Sequence, residues 1–292
     1  MGRVCVLLVA AIVPVAVALV PSPRSPAAEP VVVRIGMPEN MFSGMPPAVV
    51  QAASRPFQIM FEKQTGLKGE VVSAKDYADM ADRLRAGTLE IAVFHGFEFA
   101  WVRQHPELVP LLVTVPGSKI HACLVVNAGS KAKGAQDLKG ACIAVPANTK
   151  PHCQLYLDRL REKLPEGTCG TTKADGKSVE EALDAVCVGT CPAALVDFSA
   201  FVAYRDNKPG AGAQLTVLEK SDPFPSAVVV YRKEALDDKT AAKVRDGLIK
   251  CTDTAQGKLL TSLWRLKGFA ELTAAYQTEL EKSLKAYPAP KK

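Results

Sequence analysis

The sequence predicts an α/β protein built in two lobes, with strands and helices alternating along the chain. Three observations carry this. Short β-branched or apolar runs recur between stretches with apolar residues at helical spacing. The strand–helix series starts near residue 31 and starts again near residue 120. A chain of 292 residues is also too long for one minimal core. Composition agrees, since 48% hydrophobic and 23% charged residues exclude a disordered chain, a collagen-like fibre and a multi-span membrane protein. The net charge of +6 is spread without a Lys/Arg block, which argues against nucleic acid as a partner.

In the first series, Val31 to Ile35 is β-branched and ends at Gly36, which predicts a strand. Arg55 to Gln64 carries Phe57, Met60 and Phe61 at helical spacing and stops at Thr65-Gly66. Glu70 to Ser73 reads as a short strand. Asp76 then precedes a helix over Tyr77 to Ala86, with Gly87 as its stop. Leu89 to Phe94 is a buried strand, followed by helix through Trp101 and Val102.

The second series opens with strands at Ile120 to Val126 and Ala141 to Val145, separated by a turn at Asp137 to Gly140. Helices are predicted over Pro151 to Lys163 and Ser178 to Ala185, a strand at Ala193 to Val196, and a helix over Phe198 to Tyr204. Ala227 to Tyr231 returns as a strand, and Lys239 to Ala286 is helix broken at Gly268. Strands separated by helices predict parallel-rich sheets covered on both faces. The leftover C-terminal elements imply that the chain crosses between lobes twice. Residues 29–120 with 228–292 then form the first lobe, and 121–227 a Cys-rich second lobe.

The one long apolar run, Val4 to Val20, follows Arg3, is broken by Pro14 and passes into the small, Pro-rich Pro21 to Ala28. That order predicts a signal peptide over 1–28, cut near Ala27 or Ala28; an uncleaved N-terminal anchor is the alternative. The mature chain is then exported. Of eight cysteines, Cys5 lies in this segment and Cys123, Cys142, Cys153, Cys169, Cys187 and Cys191 cluster in the second lobe. In an exported chain an even cluster predicts disulfides of undetermined pairing. Cys251 stands apart and reads as a buried apolar residue.

The order of several pieces resembles a known family. Gly36-Met-Pro38, Phe57 to Gly66, Asp76-Tyr77, Leu84 to Ala92, Asp137 to Val145, Gly257 to Leu260 and Gly268-Phe269 are similar to the exported solute-binding proteins of phosphonate ABC importers. These belong to the PhnD/SsuA/transferrin-like group with the type 2 periplasmic-binding fold. The resemblance implies two lobes on a double-crossover hinge that close on a small solute and deliver it to an ABC transporter permease. It implies no cofactor and no chemical step, and a monomer is the default. Its Ser/Thr-rich anion loop is matched here by Pro146 to Cys153, which keeps one hydroxyl, Thr149. The family's Gly-Pro and following Tyr correspond to His95-Gly96 and Phe99, and Tyr77 matches a cleft position. Gly189 to Pro192 stands where the family has Gly-x-x-Asp, with Asp197 just beyond.

In α/β sheets ligands bind outside the carboxyl ends of strands. The candidate ligand-binding residues are therefore Met37, Tyr77, His95, Gly96, Phe97, His121, Asn148, Thr149, Lys150, His152 and Asp197. Asn148 or Thr149 could cap the helix opened by Pro151, whose N-terminus with Lys150 makes an anion seat. Three of the four histidines, His95, His121 and His152, fall at predicted cleft positions, and imidazole serves either an oxyanion or a metal. Met37, Met41 and Met45 add soft sulfur, so His95, His121, His152 and Met41 form an alternative Cu or Zn site. Glu98 in the same region would favour a cation or the amine of a zwitterion. No G-x-S-x-G, H-E-x-x-H or phosphate-loop motif occurs, and adjacent His152 and Cys153 point apart on a helix, so an enzyme is not expected. The expected solute is a small oxyanion. A metal or metal-chelate carrier and the ligand-sensing partner of a membrane signalling protein are the alternatives.

Overall fold

The computed structural model describes residues 32–39, 47–138, 142–163, 170–173 and 178–290. The segment 1–28, Met41, Met45 and Cys169 lie outside the described residues. Among the described residues no helix is long and apolar enough to cross a membrane.

The first sheet is built from β1 (Val32–Pro38), β2 (Lys68–Ala74), β3 (Ile91–Phe94), β4 (Leu108–Pro116), β10 (Val228–Arg232) and β11 (Leu266–Ala270). Its order is β11-β4-β10-β3-β1-β2. The second holds β5 (Ala122–Asn127), β6 (Cys142–Val145), β7 (Gly170–Lys173), β8 (Ala193–Asp197) and β9 (Leu215–Lys220), in the order β7-β6-β8-β5-β9.

Both sheets are mixed. β1 runs parallel to β2 and β3, and β6 parallel to β7 and β8, joined by the βα units that the sequence predicts. Where the chain crosses between sheets it returns antiparallel: β10 pairs β3 and β4, and β5 pairs β8 and β9. The strands β4, β7, β9 and β11 have no counterpart in the sequence-based expectations. β7, β9 and β11 are edge strands, where apolar patterning is short and mixed, while β4 is an interior strand with a nine-residue, largely apolar run. The two crossings lie side by side, with Ile120 bridged to Phe224 and Phe224 N donating to the Ile120 carbonyl at 2.9 Å.

Helices flank each sheet: α1 (Pro47–Thr65), α2 (Tyr77–Arg85), α3 (Gly96–Val102), α4 (Pro151–Lys163), α5 (Val179–Cys187), α6 (Phe198–Asn207), α7 (Pro209–Gly212), α8 (Asp238–Ile249), α9 (Ala255–Leu263) and α10 (Ala274–Ala286). The long C-terminal helical stretch is thus three helices, with β11 at the expected break. Strand alternation fixes which side chain meets which layer. On β5, Ala122, Leu124 and Val126 face α4, while Cys123 and Val125 face α5 and α6. On β1, Val33, Ile35 and Met37 share one face and pack on Phe57, Met60 and Phe61 of α1.

That alternation corrects the placement of Met37. It is a strand residue buried in the first core and also lines a small apolar cavity of about 90 Å³ with Phe57 and Phe269, so it does not reach the cleft. Four of the six clustered cysteines, Cys123, Cys153, Cys187 and Cys191, stand as free thiols. Cys123 Sγ lies 3.4 Å from the Val196 carbonyl and Cys187 Sγ 3.5 Å from the Ala211 carbonyl, so hydrogen-bond contacts and burial occupy them. Cys251 is fully buried in the first core, as the sequence suggests.

Candidate functional site

The carboxyl ends of β3, β6 and β8 bring together His95, Lys150, His152 and Asp197. His95 is the turn residue between β3 and α3, and its backbone N–H donates to Glu98 Oε2 at 3.2 Å. Gly96 follows because nothing larger fits. A Cβ there would lie 2.5 Å from the Ser226 carbonyl oxygen and 2.6 Å from Pro225, on the second crossing segment. Phe97 is buried and stacks on the His95 ring with centroids 5.5 Å apart and planes 2° from parallel.

On the second sheet, Pro146 to Lys150 turns the chain from β6 into α4. The expected cap differs. The Thr149 hydroxyl and backbone N–H both turn back to the Pro146 carbonyl, because a tight turn leaves them nearer that oxygen than the helix. The Lys150 carbonyl instead accepts from Cys153 N and Gln154 N at 2.9 and 3.1 Å, which makes Lys150 the entry residue of α4. Asn148 is exposed at the mouth of this turn.

Asp197 closes β8 and caps α6, accepting from Ala200 N at 3.1 Å and from the Ser199 hydroxyl. Lys150 Nζ stands 3.3 Å from its Oδ1, and His152 Nε2 3.0 Å from its Oδ2. Burial pushes Asp197 up, but the contact with His152 and the charge of Lys150 outweigh it and hold the carboxyl well below the usual range. His152 is buried, and its Nε2 faces the Asp197 carboxylate as its polar partner. The imidazole of His95 is pushed down to about 4, first by burial and then by the positive fields of His152 and Lys150. It is therefore neutral at pH 7.

Tyr77 opens α2 after its Asp76 cap and meets Trp101 edge-on at 4.9 Å, forming part of the wall. Burial, then Asp76 and Glu98, raise its phenol. His121 does not join the other histidines. Its Nδ1 donates to the Ser221 carbonyl at 2.8 Å and its ring lies edge-on to Phe198, so it serves the crossing. Among the described residues no group of three or more His, Cys, Asp or Glu is placed to hold a metal ion. The sequence reasoning missed Phe224, which touches Phe97 at 5.9 Å and His152 at 5.4 Å. Its place in Pro223-Phe-Pro225, beside the predicted second crossover, was the available signal.

Two α/β sheets joined by paired crossings define a periplasmic-binding-type fold. Residues 41–276 match the family described as "ABC transporter, phosphonate, periplasmic substrate-binding protein", and the chain belongs to that family. Similar solved structures include XAC2383 from Xanthomonas citri bound to ATP, at 18% identity and TM-score 0.66, covering 88% of this chain and 96% of that one. Another is a binding protein component of an ABC phosphonate transporter (PA3383) from Pseudomonas aeruginosa, at 19% identity and TM-score 0.61, covering 88% of each chain. A third is PhnD1 from Prochlorococcus marinus in complex with methylphosphonate, at 14% identity and TM-score 0.62, covering 88% and 98%. Among curated proteins none matches the chain.

Proposed function

We propose that the mature chain, exported after removal of residues 1–28, carries a small oxyanion of the phosphate, phosphite or phosphonate kind to an ABC permease. The lobes, 29–120 with 228–292 and 121–227, close on the solute, and no chemical step follows. The observation that carries this reading is the buried cluster at the strand ends: His152 paired with Asp197 at 3.0 Å, beside Lys150 and the neutral His95. Buried polar groups are kept where hydrogen bonds satisfy them, and an oxyanion offers several acceptor sites. Lys150, half-exposed, can turn its ammonium from Asp197 to an arriving anion. Asp197 keeps Ser199, Ala200 and the α6 N-terminus, and an amine on the same solute would find its carboxylate. Family membership supports the transporter partner and the absence of catalysis. The relative from Prochlorococcus marinus that holds methylphosphonate supports the solute class.

The test is a thermal-shift panel on metal-stripped mature protein with phosphate, phosphite, alkyl- and aminoalkyl-phosphonates, sulfonates, Cu and Zn. A solute at about 100 times its Kd adds roughly 2.7 kcal/mol, a shift of several degrees for a chain of this size. A shift with an oxyanion, abolished in a His95→Ala/His152→Ala double variant, is the expected result. A shift with Cu or Zn alone would overturn the oxyanion assignment.

A further inference from the structure

The C-terminal helix α10 lies along α3, and the residue that ends it reaches further. Trp101 Nε1, on α3, donates to the Tyr287 carbonyl at 2.8 Å across 186 residues of sequence. The Tyr287 ring packs on Phe224 with centroids 4.7 Å apart and planes 31° from parallel. Phe224 is buried and sits on the second crossing segment, where its other neighbours are the rings of Phe97 and His152. Tyr287 thereby joins the apolar cluster around α4 and β5. Burial and the charge of Asp222 push its phenol up, while Arg159 of α4 acts in the opposite sense.

This single tail residue therefore bonds α3 and packs on the crossing at Phe224, whose ring in turn meets His152 on α4. Contacts of that kind hold only while α3 and α4 stay together. We propose that Tyr287 is a C-terminal strap: it holds α4 against α3 in the closed arrangement and, through Phe224, positions the His152 ring at the cleft. The proposal rests on the cleft being the solute site. Tyr287 itself meets no solute, so it acts as a positioning residue. Of its two links, the carbonyl contact with Trp101 survives any change of side chain, and the ring contact with Phe224 does not. The aromatic ring, not the hydroxyl, is what the strap needs.

The experiment uses the full mature chain as wild type, Tyr287→Ala, Tyr287→Phe and Tyr287→Leu. Each is titrated with methylphosphonate and with inorganic phosphate, and hydrogen exchange of the α4 amides is followed without solute. Removing one buried aromatic pairing corresponds to about a two- to tenfold loss of affinity. Tyr287→Ala should show that loss together with faster α4 exchange, while Tyr287→Phe keeps wild-type values for both. Wild-type affinity and α4 protection in Tyr287→Ala would overturn the strap, as would Tyr287→Phe falling as far as Tyr287→Ala. If wild-type protein binds neither probe, the solute assignment fails separately, and α4 exchange alone decides the strap. If Tyr287→Ala does not fold, Tyr287→Leu decides: faster α4 exchange in a folded chain supports the strap, and unchanged exchange overturns it.

Discussion

His152 Nε2 stands 3.0 Å from Asp197 Oδ2, with each side chain 7% exposed. The two come from different βα units, the entry to α4 and the end of β8, and meet only because β6 and β8 are hydrogen-bonded neighbours. A carboxylate this buried is tolerated only when paired and hydrogen-bonded. Asp197 meets that condition through Lys150, His152, Ser199 and Ala200.

Two substitutions at Asp197 separate charge from capping. Asp197→Asn keeps a good helix cap and removes the charge that Lys150 and His152 face, with an expected loss of about 2 kcal/mol. Asp197→Ala removes the α6 cap as well and should cost about 1 kcal/mol more. Urea unfolding midpoints measure both, and equal losses would contradict the capping contribution.

Acid should loosen the protein through His95. Its folded value is about 4, below the ordinary 6.5, so the unfolded chain binds the extra proton first. Stability is therefore complete above about pH 6.5 and falls as pH drops toward 4. Asp197, also held low when folded, begins to lose its contribution only below its ordinary value of 3.8. Thermal midpoints measured from pH 7 to 4 should decline, and His95→Gln should flatten that decline.

Gly96→Ala should destabilise by about 1–3 kcal/mol, because the added Cβ meets backbone that cannot move aside without shifting the crossing. Since the strand-end turn carries His95, solute affinity should fall with stability. A variant as stable and as tight-binding as wild type would show that Pro225 and Ser226 move freely.

The buried thiols should resist alkylation. Cys123 is pushed up to about 12 by burial and by Asp197, and burial likewise holds Cys153 well above its ordinary value. Thiolate is the reacting form. At pH 8 mass spectrometry should find both unmodified in native protein and both labelled in denaturant. Absence of labelling after unfolding would mean that they are oxidised.

Much of this molecule is written locally. The Gly87 and Asp76 punctuation, the β-branched run before Gly36 and the helical spacing after Tyr77 specify elements from neighbours a few residues apart, although β1 runs on through Gly36 to Pro38. The alternating series then specifies an α/β class, and the strand ends point to His95, Lys150, His152 and Asp197. Local pattern does not decide which side chains meet across the sheets. Met37 looks like a cleft residue until period-two alternation on β1 turns it into the core beside Phe57. His121 looks equivalent to His95 until the two crossings pair and its ring finds the Ser221 carbonyl. Thr149 looks like a cap until the turn folds its hydroxyl onto Pro146. Cys123 and Cys153 look like possible partners until the two faces of β5 place them in different cores. Hydrophobic periodicity is a property of neighbours in sequence and is fixed by the chain itself. Pairing of a buried charge, or of Trp101 with Tyr287, depends on contacts between segments distant in sequence, and only tertiary packing creates them.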